Sequence, residues 1–322
     1  MSIRGGEELM QSIRTEAIAI PEVAERAGPR RLQRAWTLAR RQPLGVLGGA
    51  IILLFLVTAF LAPVIAPHDP REFAGPRLAA PSRAFPFGTN NLGQDVFART
   101  LYGSQISLAV GVASVFIGTV IGTTLGLLSG YFGGWVDMVT QRALEVIAAF
   151  PGLVLLLMLV AALGRPRVDR DANILELTWQ LRTVIIAIGF AFVFGTVRIV
   201  RSVVIAQRST PYVEAAQVCG ASWLRVLLRH LLPNVLPYSI IGVSVTLGLA
   251  ILAEASLSFL GYGAPAGTPS WGADLSGPNR QYFLQAPWLA LAPGGAISLT
   301  LLGFNLLGDA VRDVLDPRLR GT

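Results

Sequence analysis

Residues 44–66, LGVLGGAIILLFLVTAFLAPVIA, run for 23 positions without a charged side chain. At 1.5 Å per residue a helix of that length crosses the roughly 30 Å hydrocarbon core of a bilayer. Five more apolar stretches follow, at 105–128, 137–163, 184–206, 235–260 and 288–307. A chain that is 53% hydrophobic and 14% charged fits no ordinary soluble domain. The predicted fold class is an all-α polytopic membrane protein with six transmembrane helices.

All 26 basic side chains are arginine, and lysine is absent. That excludes a Walker A lysine on the phosphates of a nucleotide and any Schiff-base chemistry. If ATP drives this protein, another chain hydrolyses it. The single cysteine, Cys219, has no partner for an internal disulfide. His68 and His230 fall on opposite predicted sides of the membrane, so no metal site is expected. No Ser/His/Asp set or carboxylate pair is apparent, and no catalytic residue is assigned. With both termini inside, the six spans put 17 arginines on the cytoplasmic side and 9 outside, the sign that positive-inside orientation requires.

Between the spans the chain changes character. Leu32, Ala35, Trp36 and Ala39 share a helical face within the arginine-rich run 30–41. That pattern suits a helix on an anionic membrane surface and equally a solvated basic segment. Gly118, Gly122 and Gly126, four apart, put small residues on one face of the second span and predict close helix approach. Pro151 should kink the third span. Residues 164–182 carry seven charges and must leave the bilayer.

The stretch 211–234, PYVEAAQVCGASWLRVLLRHLLPN, is the most specific. Thr210 is a suitable N-cap and Pro211 suits the first helical position. A helix over 211–219 should end at Gly220 as a left-handed C′ residue. Ser222 should cap a second helix from Trp223, which Pro233 should stop. The expected product is a rigid bent hairpin.

Glu214-Ala215-Ala216, Gly220 and His230-Leu231-Leu232-Pro233 at this spacing resemble the EAA loop of ABC-importer permeases. The wider string, with Tyr212 and Ala221, is similar to the dipeptide/oligopeptide/nickel branch, and to the C-type permease of its pair. GYFGGWVD, ILAEASLSFLG, PSWG and FNLLGDAVRDVLDPR extend the resemblance over about residues 30–320. FGTNNLGQD resembles the family's FGTDxxGRD, with Asn90 and Gln94 in place of an acid and an arginine; Gly88, Gly93 and Asp95 match.

The resemblance implies a type I ABC-importer permease fold in the cytoplasmic (inner) membrane. It implies four segments: 1–42 cytoplasmic, 43–67 the first transmembrane helix, 68–103 an extracytoplasmic loop, and 104–316 a core of five helices with a coupling loop at 208–234. It also implies a second homologous permease chain, two ATPase subunits holding ATP and Mg, and an extracytoplasmic solute-binding protein. No cofactor is expected on this chain, and no nucleic acid. Tyr212, Glu214, Ala215, Ala216, Gly220, Ala221, His230 and Pro233 are the implied ATPase-coupling residues.

Glu254 is the one acid well inside an apolar run, and such a residue is a functional candidate by default. It is a candidate gate or pathway residue; placement near the outer headgroups, paired with a loop arginine or another subunit, is the other reading. Asn305, in the last span, is a second candidate gate or pathway residue, able to hydrogen-bond across helices, with a mere packing role as the other reading. The alternative function is a proton-coupled secondary transporter that titrates Glu254.

Overall fold

The computed structural model describes residues 42–163, 179–265 and 267–315. The basic run 30–41, most of the charged segment 164–182 and the end from Asp316 onward lie outside them.

The first helix, α1 (Pro43–Ile65), is apolar on every side and peripheral. Only 17% of its most apolar window is buried, against 56% for α2 (Val96–Phe132). The second helix starts within the segment assigned to the outer loop, because Asp95 caps it by accepting from the Phe97 N–H. Hydropathy marked only the part that lies in hydrocarbon. At 37 residues, α2 is about 55 Å long and outruns the bilayer core.

The third predicted span is broken rather than kinked. Helices α3 (Gly134–Ala148) and α4 (Gly152–Ala162) meet at 98°. Pro151 adopts φ −55°, ψ 133°, outside the helical region, so the chain turns there instead of continuing bent. Among the described residues five helices are therefore long and apolar enough to cross a membrane, six if this pair counts as one span.

Helix α5 (Trp179–Gln207) packs along α2 through the glycine stripe. A Cβ built on Gly118 would lie 2.6 Å from the Gly189 carbonyl oxygen, one on Gly122 2.6 Å from Thr196 Cβ, and one on Gly126 2.7 Å from Val200 Cβ. Gly130 extends the row against Val204. The close approach that the spacing of four predicted is present. Replacing Gly122 with leucine should therefore separate α2 from α5 and cost about 1–3 kcal/mol of overpacking strain, or more. A fall in the melting temperature of the purified membrane protein would register it; an unchanged value would show that the helices part freely.

After α5 come α6 (Pro211–Val218), α7 (Trp223–Arg225), a π-helical turn (Val226–Leu231) and α8 (Leu232–Phe259). Pro233 does not stop the second helix of the hairpin. It sits in the first turn of α8, where its missing N–H is tolerated. The π turn, in which the Leu232 N–H reaches back to the Leu227 carbonyl, carries α7 into α8 as one span from Trp223 to Phe259. The Asn234 side chain donates to the His230 carbonyl at 2.7 Å, satisfying one acceptor in this irregular turn. Beyond α8 lie α9 (Trp271–Asp274), a 3₁₀ turn (Gly277–Tyr282) and α10 (Trp288–Leu315).

Candidate functional site

At one end of the bundle, α6 lies against α5 and the π turn. Pro211 opens it, but the Thr210 hydroxyl donates to the Gln207 carbonyl at 2.6 Å instead of capping α6. Its end is a full Schellman closure: the Ala221 N–H reaches the Ala216 carbonyl and the Gly220 N–H the Gln217 carbonyl. Gly220 has φ +79° and no atom within 4 Å of where its Cβ would be. It serves the backbone turn and makes no contact that a side chain would block. Ser222 caps α7 by accepting from the Arg225 N–H.

Val213 is the one buried side chain of α6. It enters an apolar cluster with Val200 and Val204 of α5, Val226, Leu227 and Leu231 of the π turn, and half-buried Ala221. Tyr212 ties the two halves of the motif together: its hydroxyl donates to Gln207 Oε1 at 3.3 Å and accepts from Asn234 Nδ2 at 3.2 Å. The long spacing between YVEAA and LLPN thus corresponds to a physical link. Glu214 is exposed in the first turn, where a negative charge suits the helix dipole. Ala215 is exposed, Ala216 and His230 are half-buried, and Val218 is 88% exposed. The outer face of α6 is mixed, with Ala215 and Val218 exposed beside the Glu214 carboxylate and Gln217.

A clamp missed in the sequence reading holds this end. Asp137, in α3, accepts from Ser129 of α2 at 2.6 Å and forms a two-pronged ion pair with Arg201 of α5 at 2.5 Å. Arg208 donates to the Gly130 carbonyl at 3.1 Å. The GYFGGWVD motif contained the acid, but its partner lies 64 residues away.

The far end of the bundle buries a polar cluster. Arg99, in the second turn of α2, directs Nε and Nη2 to Asp274 Oδ1 at 2.7 and 2.6 Å. Its Nη1 donates to the Pro70 carbonyl and to Gln94 Oε1. Burial raises the Asp274 carboxyl above its ordinary value, with the Arg99 guanidinium opposing that rise. Asn90 and Gln94 make a neutral bond in place of a charged one: Asn90 Nδ2 donates to Gln94 Oε1 at 2.8 Å. Trp271 is fully buried between α1 and α2, and its Nε1 donates to the Thr100 carbonyl.

Glu254 has no solvent exposure. Among the described residues no arginine pairs with it. Oε1 accepts from Ser258 at 2.7 Å and Oε2 from Ser107 of α2 at 2.9 Å. Asn305 is exposed on α10 and makes no hydrogen bond to another helix among the described residues. Glu254 and the residues of α6 therefore belong to separate regions. Among the described residues no group of three or more His, Cys, Asp or Glu side chains is placed to hold a metal.

Residues 122–321 match the family described as binding-protein-dependent transport system inner membrane component. Residues 30–81 match the N-terminal TM domain of oligopeptide transport permease C. The glutathione transport system permease protein GsiD of Pectobacterium atrosepticum is 39% identical over 88% of this chain and 90% of its own length. The dipeptide transport system permease protein DppC of Alkalihalophilus pseudofirmus is 38% identical over 89% and 90%. A chain of the MetNI methionine ABC transporter in an inward-facing conformation has the same fold, with TM-score 0.50 and 17% identity over 68% of this chain and 96% of its own. None of this supports a proton-coupled carrier. The chain belongs to the binding-protein-dependent transport system inner membrane components: it is a multi-pass permease subunit of an ABC importer, and ATP is hydrolysed on a separate subunit.

Proposed function

We propose that this chain is the C-type permease of an importer for peptides or similar small solutes, with α6 docking on an ATPase subunit. The observation that carries the docking is the geometry of α6: one side chain, Val213, is buried and Tyr212 is tied to both flanking spans, while the opposite face stays free. Glu214, Ala215 and Val218 on that face, with Tyr212 at its edge, meet the partner. Ala216, Gly220, Ala221, His230 and Pro233 hold the shape behind it. The peptide substrate is supported by the dipeptide and glutathione permeases among the relatives.

In this reading α6 and both chain termini face the cytoplasm, on the arginine-rich side of the membrane. The partners are a second, homologous permease chain, two ATPase subunits that hold ATP and Mg, and an extracytoplasmic binding protein. Closure of the ATPase dimer moves α6 as a lever, and the tie through Tyr212 and Asn234 passes the displacement to α5 and α8 together. The spans then alternate between inward-open and outward-open arrangements.

Purification of the tagged chain from its native membrane in mild detergent tests this. A second permease and ATPase subunits should come with it; recovery of the chain alone after gentle cross-linking would overturn the proposal. Glu254 joins α2 to α8 through Ser107, so it sits where such a movement must pass. Glu254→Gln preserves the shape and is expected to assemble normally but transport poorly. Wild-type uptake in that variant would leave Glu254 a packing residue only.

A further inference from the structure

Helices α1 and α10 cross closely at Gly48, where an added Cβ would lie 2.7 Å from the Gly303 carbonyl oxygen. Toward the Arg99–Asp274 end they leave between them, with the start of α2, a groove of about 590 Å³. Leu54 of α1 and Leu291 and Leu299 of α10 are on its walls, and all three are exposed. Pro81 and Phe87, from the loop before α2, complete the lining. Gly295 of α10 also borders the space, and a Cβ there would meet nothing within 4 Å. Leu54 lies about 16 Å before the end of α1, and Leu299 about 16 Å after the start of α10. The groove is therefore as deep as the hydrocarbon of one leaflet, half of a core about 30 Å thick.

The lining has no free donor for a polar guest. No lining residue is charged, and its side-chain donors are those of Thr58, Thr100 and Trp288. The Thr58 hydroxyl donates to the Phe55 carbonyl, the Thr100 hydroxyl to the Val96 carbonyl, and Trp288 Nε1 to the Thr89 carbonyl. A polar guest would lose its water and gain little, whereas a hydrocarbon chain loses nothing there. The loop beside the groove is held in place. The Thr89 N–H donates to the Ala79 carbonyl at 3.0 Å, and its hydroxyl accepts from the Ala79 N–H at 2.8 Å. Within the loop, the Ser82 N–H donates to the Phe85 carbonyl, closing a turn that presents Arg83. Arg83 is exposed, makes no hydrogen bond or ion pair among the described residues, and is the only charged residue in 78–94.

We infer that the groove holds one acyl chain of an anionic phospholipid, whose phosphate pairs with the Arg83 guanidinium. An apolar chain one leaflet long fits its depth, and its volume falls within the roughly 300–1,000 Å³ of small-molecule sites. Bulk lipid tails are as apolar as the groove, so burial alone selects no particular lipid. Selection comes from the headgroup, because a guanidinium matches phosphate oxygens in charge and geometry. The chain fills the wedge between α1 and α10, where the protein supplies only the glycine at 295. Neither the cargo nor the ATPase enters this site.

The test uses the assembled complex in lipid nanodiscs containing phosphatidylglycerol with a diazirine on one acyl chain. After irradiation, peptide mass spectrometry should place adducts around Leu54, Leu291 and Leu299. Their yield should be roughly fivefold higher than with the phosphatidylcholine analogue, the preference expected of one arginine at a membrane surface. Arg83→Gln should abolish that preference while the adducts stay at the same residues. Gly295→Leu places a side chain in open space and should remove most adducts in the groove, leaving those at Phe116, an exposed apolar residue of α2, unchanged. Groove adducts no denser than those at Phe116, or insensitive to Gly295→Leu, would overturn the lipid site. A groove free of adducts beside normal labelling at Phe116 would also overturn it and show that another protein chain covers this face. Equal yields from the two lipids would overturn the anionic headgroup.

Discussion

Replacing Arg99 with methionine is expected to destabilise the Arg99–Asp274 end of the bundle more than any other single change. The Arg99 and Asp274 side chains are 8% and 10% exposed, and the guanidinium also serves the Pro70 carbonyl and Gln94. Methionine keeps much of the volume and removes the charge, which strands a buried carboxylate. Breaking a buried pair from one side costs about 3–5 kcal/mol, or on the order of 10 °C in apparent melting temperature for a protein of this size. Removing both charges, with Arg99→Met and Asp274→Leu together, should recover part of the loss. The recovery should be incomplete, because the Pro70 carbonyl still loses its Arg99 donor and Gln94 Oε1 keeps only the bond from Asn90. Thermal unfolding of the detergent-purified protein distinguishes the cases. A single substitution within about 1 kcal/mol of the parent would place the pair with weak, solvated surface bridges.

At the other end, Gly220→Val should uncouple ATP hydrolysis from uptake while leaving membrane insertion intact. The effect comes from backbone conformation alone, since nothing lies within 4 Å of the added carbon. A left-handed residue with a Cβ costs roughly 1–2 kcal/mol, and valine adds β-branching that resists positive φ. The Schellman closure at Ala216 and Gln217 would open, and α6 would lose its fixed angle. Asparagine tolerates the left-handed region, so Gly220→Asn should retain coupling. Uptake and ATPase rate measured on the same reconstituted complex provide the readout. Equal uptake by the valine variant would remove the turn from the coupling mechanism, and equal failure of both variants would point to a surface contact instead of a backbone angle.

Much of the molecule was legible in its residues. Charge-free runs required membrane helices, since lipid leaves a chain few other ways to satisfy its backbone. The glycines four apart fixed which face of α2 meets a neighbour. Pro211 and Gly220 marked both ends of α6, because each limits φ locally. The family strings extended these readings to function.

The misreadings have a common cause. Pro233 reads locally as a stop, yet Val226, Leu227 and Leu231 of the π turn and Val235 of α8 share one cluster with α5, and the chain continues through the π turn into α8. Pro151 reads as a kink, and only the final backbone shows a turn of 98°. For Glu254 the residue type called for a partner without naming one, and within the described residues Ser258 and Ser107 supply the hydrogen bonds.

Sequence by itself determined the helices, their apolar character and the Pro211–Gly220 helix with its turn, all properties carried by a residue and its near neighbours along the chain. Tertiary structure alone decided the long-range pairings: Asp137 with Arg201, Tyr212 with Asn234, and Arg99 with Asp274 across 175 residues. Such pairings depend on distances set by how the helices pack. No local propensity encodes them.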